Sequence, residues 1–351
     1  MKTSILGKTG LIGLALMLTA SFFVVTYNQT PVWAADKTFK LRYGSAYNER
    51  MWIGKCAANW IAKIEKETGG RVKIQPYFGG TLVSNKGAAD EVRGGTVDIA
   101  HIAIIFDPAF GLLHKARSFI WGVGINNHKS EHLIYNDLNA KYSFEKPLAD
   151  LKVTARTRML PYQLITAKRA VRTLKDFKGL RLKCSPQYVS LLKSLGAEGI
   201  NLPTRELYVS LQKGIVDGVL FDFSAIKAFK LQEVAKYGTY INLGSGVLPM
   251  EIMSQKVFNS FPKDIQKIFD ESLGYWEKEM YDLHMVDEVA GLKLGKDNGM
   301  QFFKFSAADL KKFHELTYKA ALQDAKALDK LGHPGTQIME DTKRLAEKYG
   351  K

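Results

Sequence analysis

The stretch from Asp176 to Asp222, DFKGLRLKCSPQYVSLLKSLGAEGINLPTRELYVSLQKGIVDGVLFD, constrains the fold more than any other part of the chain. Leu180 and Leu182 alternate with Arg181 and Lys183 as a half-buried strand does, and the run stops at Cys184-Ser185-Pro186. Ser185 reads as an N-cap with Pro186 as the first helical residue, where a missing N–H costs nothing. Tyr188, Leu191, Leu192 and Leu195 follow at i, i+3, i+4 and i+7, and Gly196 supplies the left-handed residue that closes a helix. A second strand, Gly199 to Leu202, leads to Thr204 as the next N-cap. The second helix packs through Leu207, Tyr208, Leu211 and Ile215, breaks at Gly214, and the Asp217-Gly218 turn starts a third apolar strand, Val219 to Phe221. Strands alternating with amphipathic helices in this way specify a βαβαβ unit, hence an α/β fold with a parallel sheet.

The N-terminal part repeats this architecture without repeating its sequence. Phe39, Leu41 and Tyr43 alternate as a strand, with Tyr47-Asn48-Glu49 as the loop at its carboxyl end. A helix with Ile53, Ala57, Trp60, Ile61 and Ile64 on one face stops at Gly69-Gly70. Val72 to Ile74 is a second strand, Pro76 to Gly80 a loop, Ala88 to Val92 a short helix, and Val97 to Phe106 a third strand with its loop. Lys152 to Met159 and Val247 to Met253 are expected to be strands crossing between two lobes. Between them come a helix through Ile226 and Phe229 to Tyr237 and a strand from Thr239 to Leu243. Pro262 opens a long helix through Ile265, Ile268, Phe269, Trp276, Met280 and Leu283 toward Lys296, roughly 45 Å of brace. Ser306 caps a further helix up to Gly332, and a charged amphipathic helix follows from Thr336.

Three of these segments, DFKGLRLK, the SLGAEGINLP helix-to-strand joint and ELYVSLQKGIVDG, resemble in order and spacing the C-terminal lobe of solute-binding proteins of tripartite ATP-independent periplasmic (TRAP) transporters. TGGRVKIQPYFGGTL and EVRGGTVDIA resemble that family's N-terminal lobe, with Leu82-Val83 where the family commonly has Leu-Gly. The resemblance covers about Thr38 to Leu331. It implies a two-lobed periplasmic-binding-protein (Venus flytrap) fold with crossing strands and a long lobe-spanning helix. Lobe I is expected at 35–160 and 247–285, lobe II at 161–246 and 286–351. The implied function is a receptor that captures a small organic anion, a carboxylate, and delivers it to the membrane permease subunits. It implies no cofactor, no metal and no catalysis, and the protein is expected to be a monomer.

At 351 residues, 46% hydrophobic and 24% charged, the chain is long enough for two such lobes. Residues 1–34 read as a secretory signal peptide: Lys2 and Lys8, an apolar run from Leu11 to Val25, and Val32-Trp33-Ala34 before a cleavage point. The competing reading, an uncleaved anchor, needs about 20 apolar residues where the run offers about 15. Cleavage removes two lysines and no acid, so the formal charge falls from +15 to +13. A basic balance favours anionic partners. No basic run interleaved with aromatics is present, and together with export to the periplasm this argues against nucleic acid. Cys56 and Cys184 fall in different lobes, where a disulfide would lock the hinge, so two buried thiols are expected.

Pockets in open α/β sheets form beyond the carboxyl ends of the strands, where helix N-termini also point. Lys183 sits at such an end, before Ser185-Pro186; the spacing alone is equally met by a surface lysine. The resemblance places Lys183 where the family has an arginine that clamps the substrate carboxylate, exchanging a planar fork for a point charge. A second family arginine falls at Gln163, and an asparagine common after the Asp-Gly turn falls at Phe221, with Asp222 next, so the pocket is expected to be more apolar than that of sugar-acid binders. From lobe I, Tyr47, Asn85 and Ile104 occupy loop positions facing the cleft, each also open to ordinary packing or solvation. His128-Lys129-Ser130-Glu131-His132 matches the H-x-x-E-H pattern of inverted zinc proteases, but its neighbours read as a solvated helix start and no third ligand is identifiable. A ligand-sensing module feeding a signalling receptor is the alternative that the same fold would serve.

Overall fold

The computed structural model describes residues 38–103, 119–125, 127–156, 159–244 and 249–350. The signal-peptide segment, Ile104 and the ends of the expected crossing strands lie outside them.

The first sheet is built from β1 (Phe39–Gly44), β2 (Val72–Tyr77), β3 (Ile99–Ala103), β4 (Leu151–Arg156) and β10 (Pro249–Ser254), in the order β2-β1-β3-β10-β4. β1 is parallel to β2 and β3, whereas β10 runs antiparallel to β3 and β4. The second sheet takes β5 (Tyr162–Thr166), β6 (Arg181–Lys183), β7 (Glu198–Ile200), β8 (Gly218–Phe221), β9 (Tyr237–Leu243) and β11 (Gln301–Lys304), ordered β11-β9-β5-β8-β6-β7. Here β7, β6 and β8 are mutually parallel, as the βαβαβ reading requires. The chain passes from the first sheet to the second between β4 and β5, and back between β9 and β10. In the described residues each expected crossing strand belongs to the first sheet, and the passage itself falls in the connections.

In the first lobe, α1 (Trp52–Glu67) buries the face expected of it, Ile53, Ala57, Trp60, Ile61 and Ile64, together with Trp52 and Cys56. It ends at Thr68, after which Gly69 and Gly70 take φ of 62° and 79°, a conformation that only glycine adopts without strain. α2 (Ala88–Arg93) and α3 (His128–Tyr142) also belong to this part of the chain. Asn127 caps α3 by accepting from the Ser130 N–H at 2.9 Å. The H-x-x-E-H segment is therefore the first turn of a capped helix, with Glu131 buried.

The second lobe departs from its reading in local details. Ser185 takes the N-cap position of a 3-10 turn, Pro186–Tyr188, with Pro186 first in it; regular α4 (Val189–Ser194) starts afterwards. Pro203, not Thr204, precedes the next 3-10 turn, and α5 (Leu207–Gln212) follows. Ile215 is 48% exposed instead of packed, because Gly214 at φ 67° turns the chain out of the helix before it. The helix expected up to Tyr237 is two pieces: α6 (Ser224–Ala228) stops, and Lys230 at φ 54° redirects the backbone into a short 3-10 turn.

After α7 (Gln255–Asn259), Pro262 opens α8 (Lys263–Asp297), whose 35 residues extend about 52 Å. Its first half lies on α1: the Trp60 indole donates to Ser272 Oγ at 2.9 Å and packs edge-on against Phe269 and Trp276. Its second half lies on α6 of the other lobe, where Gly291 comes so close to the Phe223 carbonyl that a Cβ would sit 2.1 Å from it. One helix thus braces both lobes. Ser306 caps α9 (Ala307–Lys330) through the Asp309 N–H, and α10 (Gly335–Tyr349) packs on α9 and α3. Cys56 and Cys184 are buried free thiols, as expected.

Candidate functional site

A cavity of about 430 Å3, counting its open mouth, lies where the two sheets face each other. The first lobe contributes Tyr47 from the loop after β1, and Met51, Trp52 and Ile53 from the start of α1. The second contributes Tyr162, Lys183, Ser185, Thr204 and Phe221, all at or beyond strand ends; Met159 lies between β4 and β5, and Pro249 is the first residue of β10. The parallel arrangement of β7, β6 and β8 forces this convergence, since all three then end on one side.

Lys183 is the last residue of β6, in register with Ile200 and Val219, and is 3% exposed. Among the described residues its ammonium has no hydrogen bond and no ion pair. It lies over Phe221, whose ring centroid is 5.7 Å from Nζ. Burial draws the ammonium down to about 8, slightly opposed by the neighbouring Cys184 thiol. Because a buried cation without a counter-charge is costly, the site favours arrival of an anion. Around that charge the walls are apolar and aromatic: Phe221 stacks on Tyr162 at 5.5 Å, and Tyr162 meets Tyr188 at 5.9 Å. Ser185 and Thr204 add hydroxyls to the lining.

The structure brings Lys183, Phe221 and Tyr47 to this cavity and places Gln163, Asn85 and Asp222 outside the lining. Gln163 serves the sheet: its Oε1 accepts from the Ile241 and Asn242 N–H groups at 2.9 and 3.1 Å, and its Nε2 donates to Asn242 Oδ1. The irregular pairing of β5 with β9, where Asn242 takes φ 48°, consumes that amide. Asn85 is a polar neighbour of the Tyr47 hydroxyl, which burial pushes up to about 12 against a smaller lowering effect from Asn85. Asp222 is fully buried and turns away toward α8. It accepts from Ser224, and its Oδ2 lies 3.1 Å from His284 Nε2, a close contact not aligned as a hydrogen bond. Ile104 lies outside the described residues.

Both aromatic side chains from the first lobe rest on buried histidines. Tyr47 meets His101 edge-on at 5.3 Å, and His101 pairs with Glu251, on which burial acts to raise the carboxyl. Trp52 stacks on His284 at 3.9 Å with the rings 9° from parallel. Near it, burial and the Asp222 carboxylate push Glu288 up to about 8 while it accepts from the Ser224 N–H at 2.7 Å. Sequence reasoning missed Trp52, Tyr162 and His284. Trp52 lies three residues beyond the Tyr47-Asn48-Glu49 loop, and Tyr162 directly precedes Gln163, a position already singled out. His284 continues the buried spacing Trp276, Met280, and an imidazole on that stripe was the available signal.

Two α/β lobes, bridged by a bracing helix and lining one open-mouthed cavity, are the architecture of a two-lobed binding protein. Residues 43–122 and 124–326 match the model of bacterial extracellular solute-binding protein family 7, DctP, and the chain belongs to that family. It is similar to a solute-binding protein of Albidiferax ferrireducens, 23% identical over 295 residues that cover 80% of this chain and 83% of the relative. A TRAP periplasmic solute binding protein from Desulfovibrio salexigens, solved as an open complex, superposes with a TM-score of 0.73 at 26% identity, covering 90% of this chain and 97% of that one. A TRAP solute binding protein from Rhodoferax ferrireducens, in complex with copurified benzoate, gives 0.77 at 18% identity, covering 89% and 99%. The chain is of the TRAP type, whose members are periplasmic transport receptors.

Proposed function

We propose that this protein captures a small organic monoanion, a carboxylate with a flat or apolar body, in the periplasm and delivers it to the membrane permease of a TRAP transporter. The observation that carries the reading is the Lys183 ammonium, 3% exposed and facing Phe221 in an aromatic-walled cavity. A dicarboxylate or a sugar acid needs further cations or many hydrogen-bonding groups; among the described residues this lining supplies one cation and few hydroxyls. The benzoate held by the Rhodoferax protein supports an acid of this kind.

The mature receptor begins after cleavage at Ala34, acts as a monomer, and binds without catalysis, metal or cofactor. Its lobes are 35–160 with 247–285 and 161–246 with 286–351, α10 lying against α3 of the first. Tyr47, Lys183 and Phe221 contact the solute directly, while Asn85, Gln163 and Asp222 support the groups that do.

The test is a thermal-shift screen of aromatic and aliphatic carboxylates, amino acids and sugar acids, followed by calorimetry. A solute at 100 times its dissociation constant stabilises the fold by about 2.7 kcal/mol. Stabilisation by monocarboxylates above all others is expected. A response confined to neutral or cationic compounds overturns the reading.

A further inference from the structure

His284 and Asp287 lie one turn apart on the buried face of α8, and each is held by one side chain from each lobe. The His284 ring stacks on Trp52 of α1 at 3.9 Å, while its Nε2 faces Asp222, just beyond β8, at 3.1 Å. Asp287 takes Lys55 of α1 at 3.4 Å and Lys227 of α6 at 2.9 Å. Glu288 completes the ionisable group on the same turn, bonded to the Ser224 N–H.

The position is informative. The buried stripe of α8 is largely apolar through Phe269, Trp276 and Met280 where it lies on the first lobe, and becomes glycine at Gly291 and Gly295 where it lies against the second. Ionisable side chains fill the stretch between, where the helix passes from one lobe to the other. Apolar residues there would stabilise the fold at least as well, because burying charges offsets most of what their attraction gains. Ion pairs and a stacked ring do, however, specify one geometry while remaining easy to separate, which suits a joint that opens. One of the gripping groups, Trp52, is part of the cavity wall, and another, Asp222, is the chain neighbour of the wall residue Phe221.

We propose that His284 and Asp287 are positioning residues for solute capture. They clasp α1 and the β8 to α6 segment onto α8, set Trp52 and Phe221 across the cavity, and favour the closed arrangement of the lobes. This takes the two-lobed capture proposed above as its setting but concerns the joint, not the anion contact.

The test uses the full mature chain as wild type, as Asp287→Asn, as the Lys55→Gln/Lys227→Gln double variant, and as Lys55→Arg/Lys227→Arg, which keeps both charges. Small-angle scattering of ligand-free protein at low salt, calorimetric titration with benzoate, and thermal melting are measured on each. The clasp predicts a larger radius of gyration and about three- to tenfold weaker benzoate binding for the charge-removing variants. Both should be restored by the arginine pair, and salt at about 0.5 M should expand wild type in the same sense. A lower melting temperature with unchanged radius and affinity makes the cluster structural only and overturns the proposal, as does no change in any of the three. Should wild type bind neither benzoate nor any other acid, the solute reading fails on its own, and the radius of gyration of the variants still decides the clasp.

Discussion

Replacing Lys183 by methionine removes the one cation that the described residues bring to the cavity lining, while keeping the stem that packs beneath it, and two effects of opposite sign should follow. A charge-assisted contact to a carboxylate contributes roughly 1.5–3 kcal/mol, so an anionic solute should bind about ten- to a hundredfold more weakly, or a little more. The empty protein, by contrast, should become more stable. A fall of the Lys183 ammonium from its ordinary 10.5 to about 8 corresponds to about 3 kcal/mol of burial cost at neutral pH, and methionine does not carry it. The sign follows from proton linkage: between pH 8 and 10.5 the unfolded chain holds a proton that the folded lysine has lost, so stability rises with pH across that window and the full cost stands below it. Calorimetric titration with the best acid from the screen, beside thermal melts of the empty proteins at pH 7, reads both quantities. Lys183→Arg offers a planar fork in a cavity whose companion positions hold Gln163 and Phe221, and should recover binding in part, favouring carboxylates that accept two parallel hydrogen bonds. If Lys183→Met binds the acid as tightly as wild type, the ammonium is not the anion contact and the reasoning fails. If it binds weakly but melts lower, lost packing accounts for the change instead.

Further expectations concern pH and packing. Affinity of wild type for a monocarboxylate should be level below about pH 8 and fall by up to tenfold per pH unit above it, as the free ammonium deprotonates; Lys183→Met should show no such slope in calorimetry. Glu288, raised from its ordinary 4.5 to about 8, contributes stability that is complete below about pH 4.5 and lost as pH rises through 8. Melting temperature should therefore drop more steeply over that window in wild type than in Glu288→Gln, and equal slopes would contradict the assignment. Gly291→Ala drives a Cβ to 2.1 Å from the Phe223 carbonyl, backbone that cannot step aside, and should cost about 1–3 kcal/mol in denaturant unfolding. An unchanged midpoint would mean that α8 can lift from α6 without penalty.

Most of the fold was legible because local patterns and global packing agree in this chain. The alternation at Leu180 and Leu182, the apolar face of α1, and the Pro262 and Ser306 helix starts each correspond to an observed element. What failed locally failed where one residue's backbone outweighed a side-chain pattern: Gly214 sends Ile215 to the surface, and Lys230 in the left-handed region cuts the helix that Ile226 and Phe229 suggested. Lys183 could be placed at a strand end from the sequence because strand direction and length decide that. Whether it stood on the surface or under an aromatic wall could not, since burial depends on Phe221 and on a first lobe more than a hundred residues earlier in the chain. The same limit explains Gln163 and Asp222. Each side chain's role was settled by a partner remote in sequence, the Ile241 and Asn242 backbone for one and His284 for the other. Periodicity along the chain determined which elements form and in what order. Which polar groups meet solute, and which are spent holding sheet to helix, was decided only when distant segments came within hydrogen-bonding range.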